Sequence, residues 1–285
     1  MMMKNLFYLT FLMFFFSSCQ KEVFINLNNV TPIIVITGSV TDKPGPYTVT
    51  LSKTVNFYNP NVFPPVDSAQ VTISDNTGKT YTLAETSAGV YQTNILTKGI
   101  PGTTYTLNVV VPGGGRYTSV STMPFPVKID TVTMTKTTGK RGGFGGFGGG
   151  GGGNNIDTVM YTIDMSFHDP AQDSNYYRTA QLYAGKEAIS LSVFSDRYSN
   201  GKIITPRTMR LDSSLHVIEG DSLTVELESI DKATYNFFRT FRNVESGTGT
   251  SFLSASPANP ISNISNGALG YFTAYSVTSK NVLIP

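Results

Sequence analysis

The sequence contains no tryptophan, one cysteine and two histidines among its 285 residues. A single cysteine excludes a disulfide framework, and His168 and His216 lack the paired spacing of a zinc or iron site. Charge is scarce as well: charged residues make up 14%, against a usual ~25%, and the formal net charge is +2. A chain this close to neutral has no basic face with which to track a nucleic acid. Beyond the N-terminus no apolar run approaches the ~18 residues of a spanning helix, which excludes a polytopic helical membrane protein. Without tryptophan, the widest flat face for stacking on a sugar is missing, which weighs against a carbohydrate platform.

What is plentiful is hydroxyl. The 36 threonines and 27 serines supply polarity without ions, and with 40% hydrophobic and 12% aromatic residues the chain is able to bury a core. Threonine is β-branched and suits a pleated, half-wet surface, so this composition points to an all-β fold.

The first residues carry one charge at Lys4, an apolar run from Leu6 to Phe16, and then Ser17-Ser18-Cys19. This is the grammar of a secretory signal spanning residues 1–18, with small residues before the cut. The only cysteine of the chain lies at the end of that segment, which resembles the lipobox of bacterial lipoproteins. That resemblance implies a diacylglycerol thioether on Cys19, and several buried acyl chains hold a protein far more firmly than one. Residues 19–32 then form a tether. Its Gln20-Lys21-Glu22 is similar, incompletely, to the sorting segment of surface-displayed lipoproteins of Bacteroidota, so the expected location is the outer membrane, exposed at the cell surface.

Alternation of apolar and polar residues recurs along the mature chain at the spacing of a β-sandwich. Strands are expected at Ile33–Val40, around Tyr47–Leu51, at Ala69–Ile73, at Tyr81 and Leu83 beyond an Asp75–Gly78 turn, and at Tyr91–Leu96, Tyr105–Val111 and Arg116–Thr122. These give a first domain over residues 33–123, an immunoglobulin-like or transthyretin-like sandwich. Met123-Pro124-Phe125-Pro126 reads as a stiff hinge. A second, mostly antiparallel domain follows over residues 124–285. Its first two strands both open with Ile-Asp-Thr-Val, at Ile129 and Ile156, and read as two arms of one hairpin. Between them, residues 139–155 hold 11 glycines in 17 positions, an exposed loop punctuated by Phe144 and Phe147. Further strands are expected at Tyr176–Tyr183, Ala188–Phe194, Ile203–Leu211, Ser222–Ser229 and Ala268–Val277. One helix is expected near residues 231–243, with Asp231 as N-cap and Ala233, Phe237, Phe238 and Phe241 at helical spacing.

Several of these segments together carry a family resemblance. They are the lipobox cysteine, Val35–Val40 followed by Pro46–Leu51, the Asp75-Asn76-Thr77-Gly78 turn, Gly89-Val90-Tyr91 with Pro101–Leu107, and the block from Pro257 to Phe272. In these the chain resembles a family of uncharacterised outer-membrane lipoproteins of Bacteroidota, defined by a domain of unknown function, whose genes commonly sit beside TonB-dependent receptors. The resemblance implies an accessory role at such a receptor β-barrel, and it supplies no reaction. The Gly139–Asn155 insertion departs from the family.

Among residues that carry chemistry, no Gly-x-Ser-x-Gly elbow occurs, and the cysteine is committed to lipid. Asp169, Asp173 and Asn175 miss the spacing and glycine of a calcium loop and read as a capped turn. Glu226 and Glu228 share one face of a strand and read as its wet side rather than as a hydrolytic pair. Nothing here calls for a cofactor or a metal. The expected function is therefore non-enzymatic; a surface glycan binder or hydrolase and a structural adhesin subunit are the alternatives. Two segments are candidates for partner contact. One is Phe144 and Phe147 in the glycine loop. The other is Asn263, Asn266, Tyr271 and Phe272, where turn chemistry alone would make a structural cap and the alternative is a partner surface.

Overall fold

The computed structural model describes residues 31–55, 62–93, 97–140, 157–171, 174–188, 192–206, 209–211, 215–245 and 259–285. Cys19 and the expected contact residues Phe144 and Phe147 lie outside them. The chain is all-β with one helix among the described residues. Strands β1 (Ile34–Thr41), β2 (Thr48–Lys53), β3 (Gln70–Asp75), β4 (Thr80–Ser87), β5 (Val90–Gln92), β6 (Thr104–Val110) and β7 (Arg116–Thr122) form the first half. The second half holds β8 (Ile129–Lys140), β9 (Asp157–His168), β10 (Tyr176–Tyr183), β11 (Lys186–Glu187), β12 (Ser192–Ser195), β13 (Ile203–Ile204), β14 (Met209–Arg210) and β15 (Ser222–Ile230). Helix α1 (Lys232–Glu245) and β16 (Leu269–Leu283) complete it.

Twelve strands share one sheet, in the order β11-β10-β15-β16-β1-β2-β5-β4-β3-β6-β7 with β12 also on β10. Where β4 meets β5 the register shifts between Glu85 and Ser87, and residues from both sides of that bulge share one core. A bulge bends its strand and sharpens the twist, which lets the sheet turn on itself as a sandwich. The core follows from alternation: Ile34, Ile36 and Val40 of β1 meet Val71 and Ile73 of β3 and Leu107 and Val109 of β6.

The first core is not built from residues 33–123 alone. Ile264, Ala268, Phe272 and Ala274 belong to it, because β16 pairs with β1 in parallel from Val35↔Leu269 to Thr41↔Tyr275. The continuous sheet thus crosses the expected hinge, and the closing strand of the chain seals its opening one. Gly270 makes this approach feasible. Its φ is +96°, and a Cβ there would stand 2.0 Å from the Ile36 carbonyl oxygen. No side chain fits that gap.

β8 and β9 pair antiparallel from Ile129↔Phe167 to Lys140↔Asp157, the hairpin expected from their repeated openings. With β13 and β14 they make a four-stranded sheet. Ile163, Met165 and Phe167 of β9 pack on Leu223, Val225 and Leu227 of β15 in a second core. On the opposite face of β15 lies α1. Asp231 caps it, its Oδ1 accepting from the Thr234 backbone NH at 2.7 Å. Phe237 and Phe238 point inward against Ile230 and Val193, while Phe241 remains 41% exposed at the rim.

Candidate functional site

The polar chemistry of the described residues concentrates where α1 lies on the β10-β15-β16 face. Arg178 on β10 stands opposite Glu228 on β15 in register. Arg178 Nε donates to Glu228 Oε2 at 2.5 Å and Nη2 to Oε1 at 2.7 Å, a fork on a fork. Nη2 also lies 3.1 Å from a Glu187 oxygen, and the guanidinium sits 5.5 Å from the centre of the Phe238 ring. Burial works against the Arg178 charge, but the bonds from Glu228 outweigh it and hold the guanidinium above its ordinary pKa. Next along β15, Glu226 pairs with Lys43 from the β1–β2 connection.

These two glutamates were expected on a wet face, and the structure corrects that reading. Glu226 is 9% and Glu228 2% exposed. The alternation of β15 is present, but helix α1 and Lys43 cover its polar side. A covered carboxylate must be paired, and each has its cation.

Arg178 and Glu228 form one wall of a cavity of about 190 Å³, closed by Thr234 and Phe238 of α1 and by Tyr271 and Thr273 of β16. Thr234 and Thr273 are both buried, and among the described residues their hydroxyls have no hydrogen-bond partner. Such groups are satisfied by water or by a small polar ligand that enters, since leaving them dry costs free energy. Burial raises the phenol pKa of both Tyr271 and Tyr275, keeping them neutral donors beside the charged pair.

Tyr271 is the one residue of the expected contact block that reaches this cavity. Its ring lies 4.7 Å from Phe237 and 4.8 Å from Phe238, centre to centre. Phe272 points to the other side of β16 and is fully buried in the first core. The Asn263 side chain accepts from the Phe272 NH at 3.0 Å and donates to the Phe272 carbonyl at 2.7 Å, imitating a neighbouring strand. Asn266, at φ +57°, donates to the Arg116 carbonyl at 2.6 Å. Asn263 and Asn266 clip residues 263–272 onto β7 and β16. Asp169 is likewise structural, though as a tie between segments rather than a cap on its own turn: it accepts from the Tyr177 hydroxyl at 2.5 Å and from the Gly201 NH at 3.0 Å. Asp173 lies outside the described residues.

Sequence reading passed over Arg178 and Lys43, because their partners Glu228 and Glu226 lie far along the chain, and Glu187, because no local pattern marks it. A second group was legible. The spacing that turns Phe237 and Phe238 inward places Lys232, Tyr235, Asn236 and Arg239 on another stripe of α1, at i, i+3, i+4 and i+7. These four line an open groove beside Arg197.

The family model described as a domain of unknown function, DUF4249, matches residues 20–281. A search of curated proteins finds no match to the chain. The family match takes in β1 through β15, α1 and nearly all of β16, so the first core, the α1 site and all of the second core but Val282 and Ile284 fall inside it. The chain belongs to the DUF4249 family.

Proposed function

We propose that this is a non-enzymatic, lipid-anchored accessory protein of the outer membrane, displayed at the cell surface, that holds ligand for a TonB-dependent receptor or docks on its barrel. The observation that carries the reading is the position of the only cysteine, Cys19, directly after the apolar segment and its small residues. A thiol with no partner for a disulfide has a use there as the acceptor of a lipid. What supports ligand holding is the concave, partly buried polar surface around α1.

Co-purification from gently solubilised membranes tests the whole reading. A large β-barrel receptor at stoichiometric yield is expected with the native chain. Recovery of the chain alone, or with glycan-processing enzymes, would replace it with the adhesin or glycan alternative. Cys19→Ala is expected to abolish labelling by a fatty-acid analogue and release the protein from the membrane, because no other segment is apolar enough to hold it.

A further inference from the structure

Two grooves meet at the start of α1. One, of about 590 Å³, runs from Pro124 and Phe125 past Pro170 to Ile230 and is mainly apolar. The other, of about 520 Å³, follows the outer flank of the helix and carries Arg197, Lys232 and Arg239. Ser174, Tyr176 and Lys232 line both, so the two make one trough with an apolar end and a cationic end.

The apolar end has features of a surface waiting for contact. Phe125 is 72% exposed, and Ser229, only 3% exposed, lines the groove with an Oγ that has no hydrogen-bond partner among the described residues. At the other end, among the described residues, no carboxylate forms an ion pair with any of the three cations. Among the described residues two carboxylates border the trough. Asp231 is engaged by the Thr234 NH at 2.7 Å and the Ser121 hydroxyl at 2.6 Å, and Asp196 is 1% exposed. The described lining of the trough, with three cations to two carboxylates, therefore offers net positive charge, two of its cations being guanidiniums whose planar fork suits an oxyanion.

We infer that this trough binds an amphiphilic oxyanion, with its apolar body against Phe125 and Ile230 and its carboxylate or phosphate head between Arg197, Lys232 and Arg239. The two ends lie on one continuous surface, so a single small molecule with both characters satisfies both, whereas a purely polar or purely apolar ligand leaves one end unused. The inference rests on the accessory reading for what becomes of the ligand. Binding itself is measured without a receptor, so either claim can fail alone.

The absence of tryptophan makes the test direct. In the full chain carrying Cys19→Ala to dispense with detergent, Phe125→Trp places the sole indole in the trough. Dodecanoate, dodecyl phosphate and dodecanol are then titrated separately. A saturable blue shift with at least one anion is expected, at an affinity about tenfold or more above that of dodecanol. Whichever anion binds better identifies the head group. Arg197→Gln combined with Arg239→Gln is expected to weaken the anions about tenfold and leave dodecanol unchanged. The inference is overturned if neither anion gives a saturable shift in a protein that still melts cooperatively. Equal binding of dodecanol, or anion binding indifferent to loss of both arginines, overturns it equally.

Discussion

Strand β1 alternates buried and half-buried residues over its whole length, whereas β15 is buried almost throughout, on both faces. Yet their sequences share a pattern: Ile34-Val35-Ile36-Thr37-Gly38-Ser39 in one, Leu223-Thr224-Val225-Glu226-Leu227-Glu228 in the other. The difference lies in what is laid over the second face. In β1 that face carries Thr37, which hydrogen-bonds Thr50 of β2 and stays accessible. In β15 it carries two carboxylates beneath α1 and Lys43. Alternation thus settles which residues share a side, and the covering element settles which sides are dry. A hydroxyl surface tolerates either outcome, while a carboxylate surface tolerates cover only when cations come with it.

The largest expected effect tests whether the β1 half stands by itself. A fragment of residues 33–123 keeps β1 to β7 but loses Ile264, Ala268, Phe272 and Ala274 from its core, along with the strand that pairs β1. Removing a buried Phe side chain alone costs ~3–5 kcal/mol, a large share of a typical ~5–15 kcal/mol stability. The fragment is expected to melt without cooperativity and to bind a hydrophobic dye. A sharp thermal transition followed by circular dichroism would show that the first half closes without β16, and that β16 is an addition to it.

Next in size is the charged pair of the β15 half. Arg178→Met leaves Glu228 buried without its cation, which is expected to cost ~3–5 kcal/mol in chemical denaturation. Arg178→Met with Glu228→Leu removes both charges and is expected to recover most of that loss. If the single substitution were nearly neutral, the face would be wetter than its packing indicates, and the contrast with β1 would dissolve.

Local and long-range features differ in how much of them could be read in advance. The strands of the first half, the β8–β9 hairpin and the Asp231 cap of α1 all lie within windows of a few residues, where period and turn chemistry act. The parallel pairing of β1 with β16 joins residues more than 230 positions apart, and no local period encodes it. The same holds for Arg178, whose meaning appears only when β15 is placed beside it. In the Asn263–Phe272 block the turn-forming residues were visible, but not which side chains would face inward. Tyr271 and Phe272 look alike in sequence, and the pleat sends them to different cores.

A smaller effect sharpens the role of the cover itself. Asp231→Ala removes the cap on Thr234 and the bond from Ser121, loosening the start of α1 where cavity and trough meet. A loss of ~1–2 kcal/mol is expected. Amide exchange should show it as faster opening of α1, with β1 to β6 protected as before; uniform loss of protection would mean that α1 and the first core unfold as one unit.

The smallest effect concerns an exposed carboxylate in the first half, set against the buried ones of β15. Asp75 Oδ1 accepts from the Thr77 NH at 3.0 Å, the Thr77 hydroxyl at 2.6 Å and the Lys79 NH at 3.0 Å. The Thr77 hydroxyl bond leads in holding the carboxyl below its ordinary pKa; desolvation comes next and opposes it, and the two backbone NH bonds and the Lys79 charge add to the lowering. A depressed carboxyl stabilises the fold while both folded and unfolded chains are ionised. As pH falls the unfolded chain takes up its proton first, so the advantage shrinks and is gone once the folded carboxyl protonates too. Asp75→Asn keeps an acceptor oxygen and loses the charge. At neutral pH it is expected to cost less than ~1 kcal/mol, because water screens an exposed turn. Its melting temperature should approach that of the parent as pH drops from about 5 to about 2, the range over which such a carboxyl titrates. A gap that stayed constant over this range would mean that the Asp75 bonds act through geometry alone, and that the turn owes nothing to charge.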